Sequence, residues 1–285
     1  MMFILGSANF GNVYPGSKTY VDAVAAKSII GEFVKLGGTK IDTAEAYGNS
    51  QEIVRTFVDS TLQVSTKFSS ELLLNPPLLK QYLSTLSEQF GTSLSAIFLH
   101  DSEKLDKIQT NTQSVLYEFL ERNSHIKFGV SVYYPEEVYR FYDLFPFMSI
   151  LQAPLNYFDR RFISDKFKMF CVNRNIEINY RSIFLQGSLL LPKKKLNPYF
   201  SAFEQFTTYY NNFQNSGSYS LIDFNLKFIN QVTNFSNIVL GIEGPQQIHE
   251  IVGLIQKIKQ TKDLYQYNDI TFDEKLCIPM HWKLH

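Results

Sequence analysis

The chain has 285 residues, with 27 basic and 27 acidic side chains and a formal net charge of zero, so it lacks the basic excess that marks a nucleic-acid partner. Its two cysteines, Cys171 and Cys277, are too few for a disulfide framework and stand at no metal-ligand spacing. No stretch approaches the ~20 apolar residues of a membrane span, and the first residues lack a basic region followed by an apolar one, so a soluble cytoplasmic protein without a membrane or metal partner is expected.

Short β-type runs alternate with helical stretches along the chain. The runs at 3–5, 40–43, 64–67, 96–100, 127–131, 150–153, 177–180 and 238–240 read as strands. Helices are expected at 21–36, 50–61, 77–90, 109–123, 135–145, 164–174, 221–231 and 245–259, several with a plausible N-cap or a proline in the first turn. The seventh unit is the longest, with residues 185–217 between strand and helix read as a long loop rich in Asn, Tyr and Phe. The Lys193-Lys194-Lys195 run inside it reads as solvated. A C-terminal extension, 261–285, follows the eighth helix and carries Tyr265, Tyr267, Phe272 and Trp282, a composition suited to packing on a barrel end.

Strict alternation favours a parallel sheet covered by helices, either as an open doubly wound sheet or as a closed barrel. An open dinucleotide-binding sheet needs G-x-G-x-x-G at its first strand-helix turn, and Gly6-Ser7-Ala8-Asn9-Phe10-Gly11 lacks that spacing. The expected architecture is therefore a single-domain α/β (β/α)8 TIM barrel spanning 1–285, a usual length for that fold.

Barrel active sites gather at the C-terminal strand ends, and strands two to four deliver Asp42, Lys67 and His100 there, with Tyr47 just beyond the second. A phenol with a pKa near 10 is a sluggish acid at neutral pH, and a neighbouring ammonium lowers it. Lys67 is placed to supply that charge, Asp42 to hold Lys67 by pairing, and His100 to orient a substrate. Together they suit proton delivery to a carbonyl oxygen, with the hydride coming from a donor outside the protein. Taken singly, Asp42 reads equally as a turn cap and His100 as a satisfied barrel histidine. Tyr14, Tyr133, Tyr157 and Phe158 fall in strand-end loops, where packing and pocket-lining are both open readings.

Several motifs in order give the chain its resemblance to the aldo-keto reductases, and to bacterial members in particular. They are Leu5-Gly6-Ser7-Ala8-Asn9-Phe10-Gly11, the Asp-Thr-Ala-x-x-Tyr-Gly block at 42–48, Ser65-Thr66-Lys67, Leu99-His100, Gly129-Val130-Ser131, Leu151-Gln152-Ala153-Pro154-Leu155-Asn156, Arg181-Ser182-Ile183-Phe184-Leu185-Gln186-Gly187 and Val239-Leu240-Gly241. The resemblance implies a (β/α)8 barrel that reduces an aldehyde or ketone with NADP or NAD. It assigns Tyr47 as proton donor, Lys67 and Asp42 as its tuning pair, and His100 as the group that positions the carbonyl.

By the same resemblance Ser131 and Gln152 hold the nicotinamide carboxamide, and Gly6, Ser7 and Ala8 line the floor near the ring. Arg181 stands where relatives stack a tyrosine on the nicotinamide, and Ser182 after it is a further cofactor-binding candidate. Gly241, Gln247 and Glu250 fall at the adenosine end. Three departures stand out: Val132 where many relatives have an asparagine, Arg181 in place of the tyrosine, and a 241–250 segment without the cations that clamp a 2′-phosphate. The last puts NAD use beside NADP. The small-molecule partner expected is a carbonyl compound, and the likeness to relatives with Arg-Ser-x-Phe-Leu-Gln-Gly suggests a sugar or sugar-nucleotide intermediate. Two other readings stay open: a cofactor-binding or regulatory protein on a reductase scaffold, and a lyase using Lys67 as a Schiff base.

Overall fold

The computed structural model describes residues 3–12, 20–57, 61–108, 111–261, 267–268 and 270–283. Eight strands run through it: β1 (Ile4–Gly6), β2 (Lys40–Asp42), β3 (Gln63–Phe68), β4 (Leu94–Leu99), β5 (Lys127–Ser131), β6 (Ile150–Pro154), β7 (Glu177–Arg181) and β8 (Val239–Gly241). All neighbours pair in parallel in the order β7-β6-β5-β4-β3-β2-β1-β8. The ring is completed by a parallel bridge between Tyr180 and Ile238, with Tyr180 N–H donating to Asn237 O at 2.8 Å. This is the expected (β/α)8 barrel.

The helices that cover the barrel are α1 (Ala23–Lys35), α2 (Ser50–Arg55), α3 (Pro76–Phe90), α4 (Thr112–Arg122), α5 (Pro135–Leu144), α6 (Asp165–Val172), α7 (Pro198–Ser201), α8 (Glu204–Asn215), α9 (Leu221–Thr233), α10 (Pro245–Gln260) and α11 (Glu274–Cys277). Local chemistry sets their starts. Asp22, Ser164 and Ser220 accept from the exposed amides of Ala25, Phe167 and Asp223, while prolines open α3, α5 and α10, where a missing N–H costs nothing. The second helix stops at Arg55, well short of the expected residue 61; residues 58–60 lie outside the described residues.

Strand alternation divides the apolar side chains into two sets. Val64, Phe68, Ile97, Leu99, Leu151 and their like face outward and join the helices in one large core, whereas Ala96, Phe98 and Ile150 form a small separate cluster. Gln152 on β6 bonds Asp42 on β2 across the ring, which places this second face in the lumen. Wall curvature is tight at Gly129, where a Cβ would stand 1.6 Å from Ile150 O, so only glycine permits β5 and β6 to approach so closely.

Residues 185–217, read as loop from their polar and aromatic composition, instead contain α7 and α8. The signal was there at helical spacing: Phe206, Tyr209, Tyr210 and Phe213 stand at i, i+3, i+4 and i+7, and the first three are buried. Tyr209 and Tyr210 donate their hydroxyls to Leu189 O and Leu191 O, tying α8 back onto the chain leaving β7. The C-terminal extension, read as packing on a barrel end, meets this insertion through Trp282. Trp282 meets Phe200 edge-on with ring centroids 4.9 Å apart and donates its indole N–H to Leu276 O at 3.0 Å. Tyr265 and His285 lie outside the described residues. No helix among the described residues is long and apolar enough to cross a membrane.

Candidate active site

Strands β2 and β3 pair with Asp42 beside Ser65, so the alternation of β3 sends Ser65 and Lys67 into the lumen next to the end of β2. There the Lys67 ammonium donates to Asp42 Oδ2 at 2.5 Å and to Thr43 O at 2.9 Å. Both side chains are almost wholly excluded from solvent. A buried pair of this kind persists only when its remaining valences are met. They are met here by Ser65 Oγ and Gln152 Nε2, each donating to Asp42 Oδ1 at 2.9 Å.

The 42–48 turn then carries Tyr47 over this pair. Lys67 Nζ lies 4.9 Å from the centre of the Tyr47 ring, and His100, leaving β4, meets the same ring edge-on at 5.7 Å between centroids. The structure thus brings together all four residues assigned to catalysis from the sequence. Burial, and secondarily the Asp42 carboxylate, push the phenol's pKa well up, against a smaller lowering by Arg181. That departs from the expectation of a lowered pKa: the phenolate would lose hydration on burial, and the Asp42 carboxylate adds repulsion. Burial, then the charges of Lys67 and Arg181, hold the His100 imidazole down at about 4, so it is neutral at physiological pH.

The turn itself is pinned by hydroxyls. Ser7 Oγ donates to Asp42 O at 2.9 Å and contacts Ser50 Oγ at 2.7 Å, while Ser50 Oγ donates to Ser7 O and contacts Thr43 Oγ1 at 3.1 Å. Ser7 therefore braces the end of β2. Gly6 is buried where a Cβ would press on Val239 Cγ1 at 3.2 Å, and Ala8 is half-buried beside it.

On the far wall Ser131 and Gln152 pair in register. Gln152 puts its amide nitrogen on Asp42, which leaves its carbonyl oxygen as the acceptor beside the Ser131 hydroxyl. A hydroxyl and a carbonyl oxygen side by side fit a primary carboxamide, which needs both an acceptor and a donor. These residues would hold the carboxamide of a nicotinamide, whose chemistry is hydride transfer.

Arg181, at the end of β7, has its guanidinium 4.3 Å from the Tyr133 ring centre, with Nη2 donating to Val132 O at 3.0 Å and Nη1 to Ser182 Oγ at 3.2 Å. Glu137 accepts from the amides of Tyr133 and Tyr134 and so fixes the turn on which that ring sits. Ser182, Leu185 and Gln186 all adopt positive φ, at 61°, 47° and 50°. Left-handed backbone in non-glycine residues costs roughly 1–3 kcal/mol each and clusters at ligand sites. Tyr157 and Phe158 are core residues, fully buried; Tyr14 lies outside the described residues.

The adenosine-end candidates sit at β8 and the start of α10. Gly241 is exposed with open space around it, Glu250 is exposed, and Gln247 accepts from Glu243 N–H at 2.9 Å. Lys257 and Lys259 stand at the other end of this 16-residue helix, which is about 24 Å long, and lie near the rings of Tyr219 and Phe235.

Sequence reasoning missed Ser65 and Ser50 as supports of the site. For Ser65 a signal existed, since it lies two residues before Lys67 on the same strand face.

The model of the Aldo/keto reductase family matches residues 3–271. The chain belongs to this family of oxidoreductases. Among solved structures, the holo form of an aldo-keto reductase from Bacillus halodurans is 16% identical with a TM-score of 0.66, covering 93% of each chain. A glycerol dehydrogenase from Gluconobacter oxydans is 18% identical with a TM-score of 0.61, covering 94% of this chain and 95% of that one. At such identities the likeness is one of fold. None of the curated proteins matches the chain in sequence.

Proposed function

We propose that this aldo-keto reductase reduces an aldehyde or ketone to the alcohol, with NADH or NADPH as hydride donor and Tyr47 as proton donor. The observation that carries the reading is the buried Asp42–Lys67 pair beneath the Tyr47 ring, with His100 at the ring's edge. Ser131 and Gln152 offer the complement of a carboxamide on the opposite wall.

As negative charge builds on the carbonyl oxygen, Tyr47 gives up its hydroxyl proton to it. The raised pKa keeps the phenol protonated until that moment, and an alkoxide is the stronger base, so the transfer runs downhill. Lys67 faces the phenolate that results and stabilises it. A neutral His100 retains one N–H to donate to the carbonyl oxygen and fix its approach. Lys67 engaged as an ammonium with Asp42 and Thr43 is poorly placed to attack a carbonyl, which speaks against the Schiff-base reading.

A panel of aldehydes and ketones, including sugar-type carbonyls, tests the proposal by loss of reduced-nicotinamide absorbance. Tyr47→Phe is expected to lower turnover by about 10²–10⁴-fold while leaving cofactor affinity unchanged. A Tyr47→Phe protein that reduces a good substrate at the parent rate refutes the assignment.

A further inference from the structure

The lumen has a second polar end. At the N-terminal ends of the strands, opposite Tyr47, a cavity of ≈ 190 Å³ opens within the ring, lined by residues of β1 to β7 and by His125. That is room for several waters or one small polyatomic ion. Lys40 and Lys127 both turn to Glu177 at its mouth, and Ser65, Ser95 and Asn179 line it more deeply.

Two groups there are incompletely satisfied. Lys40 Nζ is half-buried and finds its nearest carboxylate oxygen, Glu177 Oε1, only at 3.8 Å, too long for a hydrogen bond. Asn179 is 3% exposed, and its Oδ1 accepts no hydrogen bond. A buried amide left without partners costs free energy that a bound ligand recovers. Ser65 and Ser95 donate their hydroxyls to Asp42 and Val64 O, which leaves their oxygens able to accept. The charged groups sum to one excess positive charge, from two lysines against one glutamate.

We propose that this lower mouth is a binding site for hydrogenphosphate. An anion is called for by the surplus lysine charge, with Lys40, Lys127 and the Asn179 amide nitrogen as donors. An acid hydroxyl on that anion is called for by the acceptors, since Asn179 Oδ1 and the serine oxygens need a proton to receive. Hydrogenphosphate carries both; sulfate carries only the charge. The weak Lys40–Glu177 contact is the one the anion replaces. Ser65 sits between the two ends of the lumen, lining this cavity while holding Asp42 from below.

The test uses the full chain without cofactor, at mildly alkaline pH and constant ionic strength, titrated calorimetrically with inorganic phosphate, sulfate and methyl phosphate. Saturable phosphate binding is expected, about tenfold or more tighter than either comparator, since doubly ionised methyl phosphate also lacks the acid proton. Lys40→Met and, separately, the more exposed Lys127→Met should each weaken phosphate binding by about tenfold, and Tyr47→Phe should leave it unchanged. Absence of saturable binding, equal affinity for sulfate, or full affinity in both folded lysine variants overturns the proposal. None of these readouts depends on carbonyl reduction.

Discussion

Removing one partner of the Asp42–Lys67 pair should cost more than removing both. In Lys67→Met the Asp42 carboxylate stays buried with only Ser65 and Gln152 as donors, having lost its 2.5 Å contact to a cation. In Asp42→Asn the ammonium keeps Thr43 O but loses its counter-charge. Breaking a buried pair from one side costs about 3–5 kcal/mol, whereas replacing both charges by neutral groups of similar volume is often close to neutral. At about 2–3 °C per kcal/mol for a chain of this size, each single variant should melt roughly 6–15 °C below the parent. The double variant Asp42→Asn/Lys67→Met should melt above both singles, with a coupling energy of several kcal/mol in a urea-unfolding cycle. If the two single losses simply add in the double variant, the two groups are not a pair in solution, and the electrostatic account of Tyr47 fails with them.

The His100 imidazole, held at about 4 against an ordinary 6.5, makes acid stability climb with pH between those values, because the unfolded chain binds a proton there that the folded chain does not. His100→Gln should flatten that climb by roughly 2–4 kcal/mol, and an unfolding free energy with the parent's slope from pH 4 to 6.5 would contradict the shift. NADH should bind within about a hundredfold of NADPH, since Gln247 is uncharged and engaged by Glu243 N–H, and Lys257 lies at the far end of its helix; dissociation constants measured for both decide it. Gly129→Ala should destabilise by about 3 kcal/mol or more, read as a drop in melting temperature or loss of soluble protein, because its methyl has nowhere to go against Ile150 O.

Much of this barrel can be read from residue order alone. Strands such as Lys127–Ser131 and Ile150–Pro154 are short apolar runs between turn residues, and each is followed by a proline or cap that starts a helix. Asp42, Tyr47, Lys67 and His100 were legible because they stand at or just past the ends of three successive strands, and strand ends share one face of a barrel. What escaped were relations across the ring. Nothing local tells that Gln152 on β6 spends its amide nitrogen on Asp42 on β2, or that the Arg181 guanidinium covers Tyr133. The two helices within 185–217 escaped for a different reason: Asn, Thr and Ser between the aromatics lower helix propensity, and packing of Tyr209 and Phe206 overrides it.

The chain has a single tryptophan, and its location decides what intrinsic fluorescence can report. Indole emission responds to loss of apolar surroundings and of the N–H bond, and for Trp282 those are Phe200 in the insertion and Leu276 O in the extension. An emission-monitored melt therefore follows the undocking of the C-terminal segment, while far-ultraviolet dichroism follows the barrel. Where the two curves separate, the extension is a unit of lower local stability that opens before the strands part.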